Sequence, residues 1–390
     1  MHRPRIAHLA VAWVVLLGAG LACGAPSAAP ASKAAAPAGS PPAAPSGAPA
    51  AVPAGTAAAP GGSAAPAAAA QPAAPPAPVA TVKLAYLPII SHGIFFVAWE
   101  KGYWHEAGVE VEGTQFGGSD QAMPFLANGQ IDAAGGSAGA GFLNALSQGV
   151  TSRMVASMSG VRPDGLSGAA LMVRKDNFDS GLYTKPGDLR GKRVAVNGKG
   201  VYGEWLTDRH LRLGGLTLDD VDMVILGIPD MLAGLQGGSV DAADLIEPPV
   251  VQAVEQGIAV PIAREGADPN GQAQVLLYGE QFIRDNPEGA RRFMIGYLRA
   301  MRDLARTDFK DPADAETIAQ YTKIPASLVL RAVPSYLEPN GKINVAHLDM
   351  QQYFFAERGY LNYREPLDLN KYVDYTWLDA ALQQLGPYQP

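Results

Sequence analysis

Two stretches of this chain repeat one pattern, and the repeat limits the folds available to it. Asn128-Gly129-Gln130-Ile131-Asp132-Ala133-Ala134 is echoed by Gly237-Gly238-Ser239-Val240-Asp241-Ala242-Ala243, 109 positions later. Gln148-Gly149-Val150 returns as Gln256-Gly257-Ile258 at a shift of 108, and Lys83-Leu84-Ala85 as Arg193-Val194-Ala195 at a shift of 110. Three near-equal shifts in one order describe two similar units.

Within each unit, short β-rich runs alternate with runs of helical periodicity, the pattern of α/β lobes built on parallel sheets. The first unit reads as strand 82–87, helix 93–104, strand 109–115, helix 119–128 and strand 130–134. The second reads as strand 194–197, helix 204–213, strand 221–226, helix 230–236 and strand 240–246, with Ser119 and Asp230 at expected helix caps. The chain then crosses back near 275–278 and closes with helices packed mostly on the first unit. Asn286-Pro287-Glu288 marks the start of the clearest of these, with a cap, a first-turn proline and an acid. Others follow around 345–358 and 372–385. The expected fold class is α/β: two similar parallel-sheet lobes joined by a hinge, with a ligand cleft between them. The expected division is 81–175 for the first part of lobe 1, 176–274 for lobe 2, and 275–390 for the return to lobe 1 and the C-terminal helices.

What precedes position 81 is of another kind. Arg3 and Arg5 stand before an apolar run from 6 to 22, the layout of a secretory signal peptide. Cys23, the chain's only cysteine, closes that run in Gly20-Leu21-Ala22-Cys23-Gly24, so no disulfide forms within the chain. Residues 24–80 are almost all Ala, Pro, Gly and Ser with Lys33 as the one charge, too poor in bulky apolar groups to offset chain entropy, and read as a disordered tether. Arg3, Arg5 and Lys33 are the only charged residues ahead of position 81. The remainder therefore carries 27 of the 30 basic and all 37 acidic residues, a balance near −10 that argues against nucleic acid as a partner.

Several blocks carry a family resemblance. Gly93-Ile94-Phe95-Phe96-Val97-Ala98-Trp99-Glu100-Lys101-Gly102-Tyr103-Trp104, then Gly108-Val109-Glu110-Val111-Glu112, resembles the opening of the nitrate/sulfonate/taurine and thiamine-pyrimidine group of ABC-transporter solute-binding proteins. Asp188-Leu189-Arg190-Gly191-Lys192-Arg193-Val194-Ala195, Asp219-Asp220-Val221 and Glu247-Pro248 look like later blocks of that family, in the same order. The segment around Cys23 resembles the bacterial lipobox, which implies acylation of Cys23 and residues 1–23 as a lipoprotein signal peptide. The resemblance implies two lobes of the periplasmic-binding-protein type II kind, closure on a small organic ligand, and recognition by a permease and its ATPase. It implies an exported, lipid-anchored, monomeric protein in the periplasm or on the outer face of the cytoplasmic membrane, with no cofactor.

In open α/β sheets ligands lie beyond the carboxyl ends of the strands, where loops and helix N-termini offer free N–H groups. That rule selects loop 88–93 with His92, the turn with Gly118 and Ser119, and the turn with Gly136 and Ser137. In the second unit it selects Asn197, Gly200 and Tyr202, then Asp230 and Glu247, with Glu204 on the helix that follows Tyr202. Tyr202 is the aromatic best placed to stack on a planar ligand, ahead of Tyr86 and Trp99. Three carboxylates, Glu204, Asp230 and Glu247, favour a neutral or cationic nitrogenous compound such as a pyrimidine, with an alkanesulfonate or taurine as the alternative. His105 and His210 read as helix surface. Asp132 and Asp241 recur after a helix-to-strand turn, a place suited to holding backbone N–H groups rather than to acid/base work.

Two other classes compete. The resembled fold group includes a thiamine-pyrimidine synthase and a sulfinate-cleaving hydrolase that depend on cysteine, whereas this chain has no cysteine beyond Cys23. No His-Glu-x-x-His or Cys-x-x-Cys motif is present either, so an enzyme is the weaker expectation. A surface sensor domain that hands ligand to a receptor is the third.

Overall fold

A computed structural model describes residues 81–389. The signal peptide, Cys23 and the tether lie outside the described residues. Among the described residues ten strands form two five-stranded sheets. The first holds β1 (Thr81–Tyr86), β2 (Glu110–Gln115), β3 (Ala133–Gly136), β4 (Ser152–Gly160) and β10 (Gln272–Gly279), in the order β2-β1-β3-β10-β4. The second holds β5 (Ala169–Arg174), β6 (Arg193–Val196), β7 (Asp222–Ile225), β8 (Ala242–Ile246) and β9 (Ala259–Ala263), in the order β7-β6-β8-β5-β9. The two orders are the same, with β10 and β5 as counterparts. The repeat read from the sequence is therefore a repeat of topology.

The sheets are mixed rather than purely parallel. β2, β1 and β3 run parallel, as do β7, β6 and β8, but β10 is antiparallel to β3 and β4, and β5 is antiparallel to β8 and β9. The reversal follows from where those two strands come from. Each is delivered by a crossover from the other sheet, 161–168 into β5 and 264–271 into β10, so it enters from the end where its neighbours finish. β5 already belongs to the second sheet at Ala169, which puts the change of lobe earlier than 175.

The recurring aspartates do the same work in both lobes. Asp132 accepts the Lys83 N–H at 2.8 Å, and its own N–H donates to the Lys83 carbonyl at 2.9 Å. Asp241 does this with Arg193, at 2.9 and 2.8 Å. Each carboxylate thus fastens the early part of β1 or β6 to the turn that leads into its neighbour, β3 or β8.

Local signals account for some helix ends. Asn286 caps Pro287–Thr307 through the Gly289 N–H at 3.0 Å, and that helix buries Phe293, Met294, Tyr297, Leu298 and Met301 against the first sheet. The helix expected over 93–104 is broken after Glu100, because Gly102 adopts φ +70, a left-handed turn open to glycine at little cost. Ser119 and Asp230 are not caps: Gly118 and Gly227 hold those positions, and neither helix start has a side-chain cap bond. The helix Val345–Glu357 packs on elements of both lobes, Ala140–Ser147 and Tyr202–Arg212, and so does not belong to the first lobe alone.

The paired aspartates yield a symmetric prediction. Asp132→Ala and Asp241→Ala should each cost about 1–2 kcal/mol in urea unfolding, and the double variant should lose the sum, since the sites lie in separate lobes. Loss in one lobe only would break the equivalence.

Candidate functional site between the two sheets

The carboxyl ends of the strands in one sheet face those of the other, and the loops meet around the start of Ala140–Ser147 and the start of Tyr202–Arg212. The Ala140 N–H donates to the Gly200 carbonyl at 2.7 Å. A Cβ on Gly139 would stand 2.4 Å from that same oxygen, so glycine is required for the approach. Beside this contact the Tyr202 N–H faces Ser137 Oγ at 3.4 Å. Ser137, Gly200 and Tyr202, chosen from the two halves of the sequence, are neighbours here.

On the first lobe, Gly136 and Ser119 are also brought together: a Cβ on Gly136 would fall 2.5 Å from Ser119 Cβ. Gly118, in extended conformation, sets the start of the helix that carries Ser119. His92 is fully buried. Its Nδ1 accepts the Leu87 N–H at 3.1 Å, which places the proton of the neutral ring on Nε2, and Nε2 has no hydrogen-bond partner. Burial drives the pKa of this imidazole from 6.5 down to about 3, so the ring is uncharged at neutral pH. Trp99 stacks with Phe96 and Tyr321, and Tyr86 meets Phe96 and Trp99 edge-on, all packed against the first-lobe core.

On the second lobe, the loop 197–200 ends at Gly200 with φ +67. Asn197 lies against Gly203, and its buried Oδ1 is without a partner. Tyr202 is not free to swing: its hydroxyl donates to Asp268 at 2.7 Å, and burial with the Asp268 charge pushes its pKa well up. Trp205 Nε1 donates to the same carboxylate at 3.1 Å, as does His347 Nε2 at 2.9 Å. His347 Nδ1 accepts the Gln272 N–H, which fixes the proton on Nε2. Three side chains from two helices thus converge on one aspartate of the crossover. None of this was read from the sequence, because Asp268 is 66, 63 and 79 positions from its partners.

The expected cluster of carboxylates does not form. Glu204 is fully buried, with Oε2 accepting the Gly200 N–H at 2.6 Å and Oε1 accepting from Arg358 Nε at 2.9 Å and the Tyr360 hydroxyl at 2.8 Å. Glu247 accepts from Arg264 Nη2 at 2.6 Å and from the Val251 and Val333 N–H groups. Asp230 is exposed. His210, expected on the helix surface, is instead fully buried with Nδ1 2.6 Å from Asp244, whereas His105 is exposed. Among the described residues no group of three or more His, Cys, Asp or Glu side chains is placed to hold a metal ion.

Behind the loops, the crossover strands form a polar wall. Gln272 donates through Nε2 to Ser157 Oγ and to the Ser159 and Gln274 carbonyls, and its Oε1 accepts the Asn344 N–H. A cavity of about 170 Å³ opens on this wall, lined by Ser157, Gly160, Gly271, Gln272, Tyr336 and Asn344 among others.

Two matching α/β lobes joined by paired crossovers, with strand-end loops facing across the gap, define a two-lobed protein of the periplasmic-binding-protein type II fold. The chain belongs to the NMT1-like family, whose profile matches residues 75–321. The alkanesulfonate-binding protein SsuA from Xanthomonas axonopodis pv. citri, bound to MOPS, is similar over 77% of this chain and 99% of its own, at 20% identity and TM-score 0.60. The periplasmic nitrate-binding protein NrtA from Synechocystis PCC 6803 is similar over 80% and 90%, at 16% identity and TM-score 0.65. The desulfurization enzyme DSZB shares the fold over 78% and 99%, at 19% identity and TM-score 0.56. No curated protein matches the sequence.

Neutral His92 has a measurable consequence. The unfolded chain protonates this side chain near pH 6.5, the folded one only near 3. Between those values the unfolded state binds more protons, so His92 lowers stability as pH falls, by up to about 1.4 kcal/mol per pH unit. His92→Asn, which offers an oxygen to the Leu87 N–H, removes that uptake. Its urea midpoint should fall less than that of the unaltered protein between pH 7 and pH 4; parallel curves would show that His92 is not held neutral.

Proposed function

We propose that this protein is the extracytoplasmic solute-binding component of an ABC importer and captures a small organic solute between its lobes by closing on it. The reading is carried by the meeting of glycine- and serine-bearing loops from opposite sheets, where Ser137 and Ala140 lie against Gly200 and Tyr202. A cleft of this kind gains contacts from both lobes only when shut, so binding energy drives closure.

Ligand chemistry follows from where the carboxylates go. Glu204 and Glu247 are each neutralised by an arginine and Asp230 stands in solvent, so these acids leave the list of ligand contacts. What the loops carry is chiefly donors: the Ser119 and Ser137 hydroxyls, the Lys199 ammonium and the Nε2–H of His92, with Asn197 Oδ1 as an acceptor. That set favours an organic anion such as an alkanesulfonate over the nitrogenous heterocycle that three free carboxylates would have favoured. SsuA and NrtA, an alkanesulfonate-binding and a nitrate-binding protein, likewise take anions. The contact set is then His92, Gly118, Ser119, Gly136, Ser137, Asn197 and Gly200, with Tyr202 closing one side.

The reading extends to the leader. Cys23 carries the lipid, residues 24–80 hold the lobes off the membrane, and a monomer presents its closed face to permease and ATPase. Among the described residues no helix is long and apolar enough to cross a membrane. Cys23→Ser should abolish incorporation of labelled palmitate and release the protein from the membrane fraction; retained label would place the anchor elsewhere.

Melting temperature measured against alkanesulfonates, taurine, carboxylates, pyrimidines and polyamines tests the ligand class. A sulfonate at 100 times its dissociation constant adds about 2.7 kcal/mol and should raise melting by several degrees. A shift with pyrimidines alone would restore the heterocycle, and turnover of any compound would restore the enzyme.

A further inference from the structure

The segment after the helix Val345–Glu357 runs over the place where the lobes meet and is bonded to both. On the second lobe, Arg358 Nε and the Tyr360 hydroxyl donate to Glu204 Oε1, and Arg358 Nη1 reaches Asp219 at 3.1 Å. On the first lobe, the Tyr360 carbonyl accepts from Asn144 Nδ2 at 2.9 Å, the Asn362 N–H donates to Asn144 Oδ1 at 2.9 Å, and Ser147 Oγ donates to Asn362 Oδ1 at 2.9 Å. The circuit is closed by Glu204 itself. Its other oxygen takes the Gly200 N–H, and the Gly200 carbonyl takes the Ala140 N–H at the head of the helix that carries Asn144.

We propose that residues 358–362 are a latch across the cleft, in which Arg358 and Tyr360 act as positioning residues that set the loop 197–200 through Glu204, and Asn144 fastens the far end. Opening the lobes must break the Asn144 and Ala140 bonds on one side or the Glu204 bonds on the other. A buried carboxylate that loses its cationic partner is costly, so the Glu204 end holds and the Asn144 end releases. The latch sets how often the cleft opens, and hence solute affinity, without touching solute.

Amide hydrogen exchange on the full-length chain, with no solute added, tests this separately from the ligand reading. Asn144→Ala should speed exchange of peptides spanning 198–204 on the opposite lobe by about tenfold or more, while β1 and β6 peptides keep their rates. Arg358→Gln combined with Tyr360→Phe should do the same at 139–143, and Arg358→Lys should fall between. Unchanged exchange at both loops would overturn the latch, and so would equal acceleration of β1 and β6, since that pattern reports general loosening. Should the double variant fail to fold, Asn144→Ala alone decides the matter. An unaltered melting panel alongside a positive exchange result would remove the solute reading and leave the latch.

Discussion

Everything in this molecule that resembles a site hangs on two lengths of chain passing side by side between the sheets. The Val161 N–H donates to the Gly271 carbonyl at 2.8 Å, and the Gly266 N–H to the Gly165 carbonyl at 3.3 Å. A Cβ on Gly165 would stand 2.7 Å from the Gly266 nitrogen, so the crossovers touch backbone to backbone. Asp268 then anchors the returning crossover by gathering Tyr202, Trp205 and His347. Because Tyr202 and Trp205 belong to the second lobe and His347 to the helix that spans both, this one carboxylate relates the lobes to each other. Buried and taking three donors, it has its oxygens satisfied only while all three stay in place.

Charge inside the protein is arranged in self-contained sets. Glu204 with Arg358, Glu247 with Arg264, and Lys101 with Asp303 and Asp314 each bring their own counter-charge. The meeting loops carry hydroxyl and amide groups, a histidine kept uncharged by burial, and one exposed cation, Lys199.

What could be read in advance depended on distance along the chain. The 109-residue echo was legible, and Asp132 and Asp241 prove to bind Lys83 and Arg193 in the same way. The Asn286 cap was legible because its partner is three positions away. Loop selection by strand ends brought out Ser137, Gly200 and Tyr202, which do lie together. The carboxylates were misread for the opposite reason: Glu204 meets Arg358 154 positions later, and no local pattern marks such a pair. The mixed direction of the sheets was hidden likewise, since β5 and β10 reveal their orientation only through the crossovers that deliver them.

The latch lies outside the stretch by which the chain is recognised. The family profile ends at residue 321, whereas Arg358, Tyr360 and Asn362 come after it. The proposed latch thus joins a C-terminal segment beyond the profile to two partners within it, Asn144 and Glu204. Substitutions at 358–362 would then act on the cleft from outside the stretch that the profile reads, by way of Glu204 and Asn144.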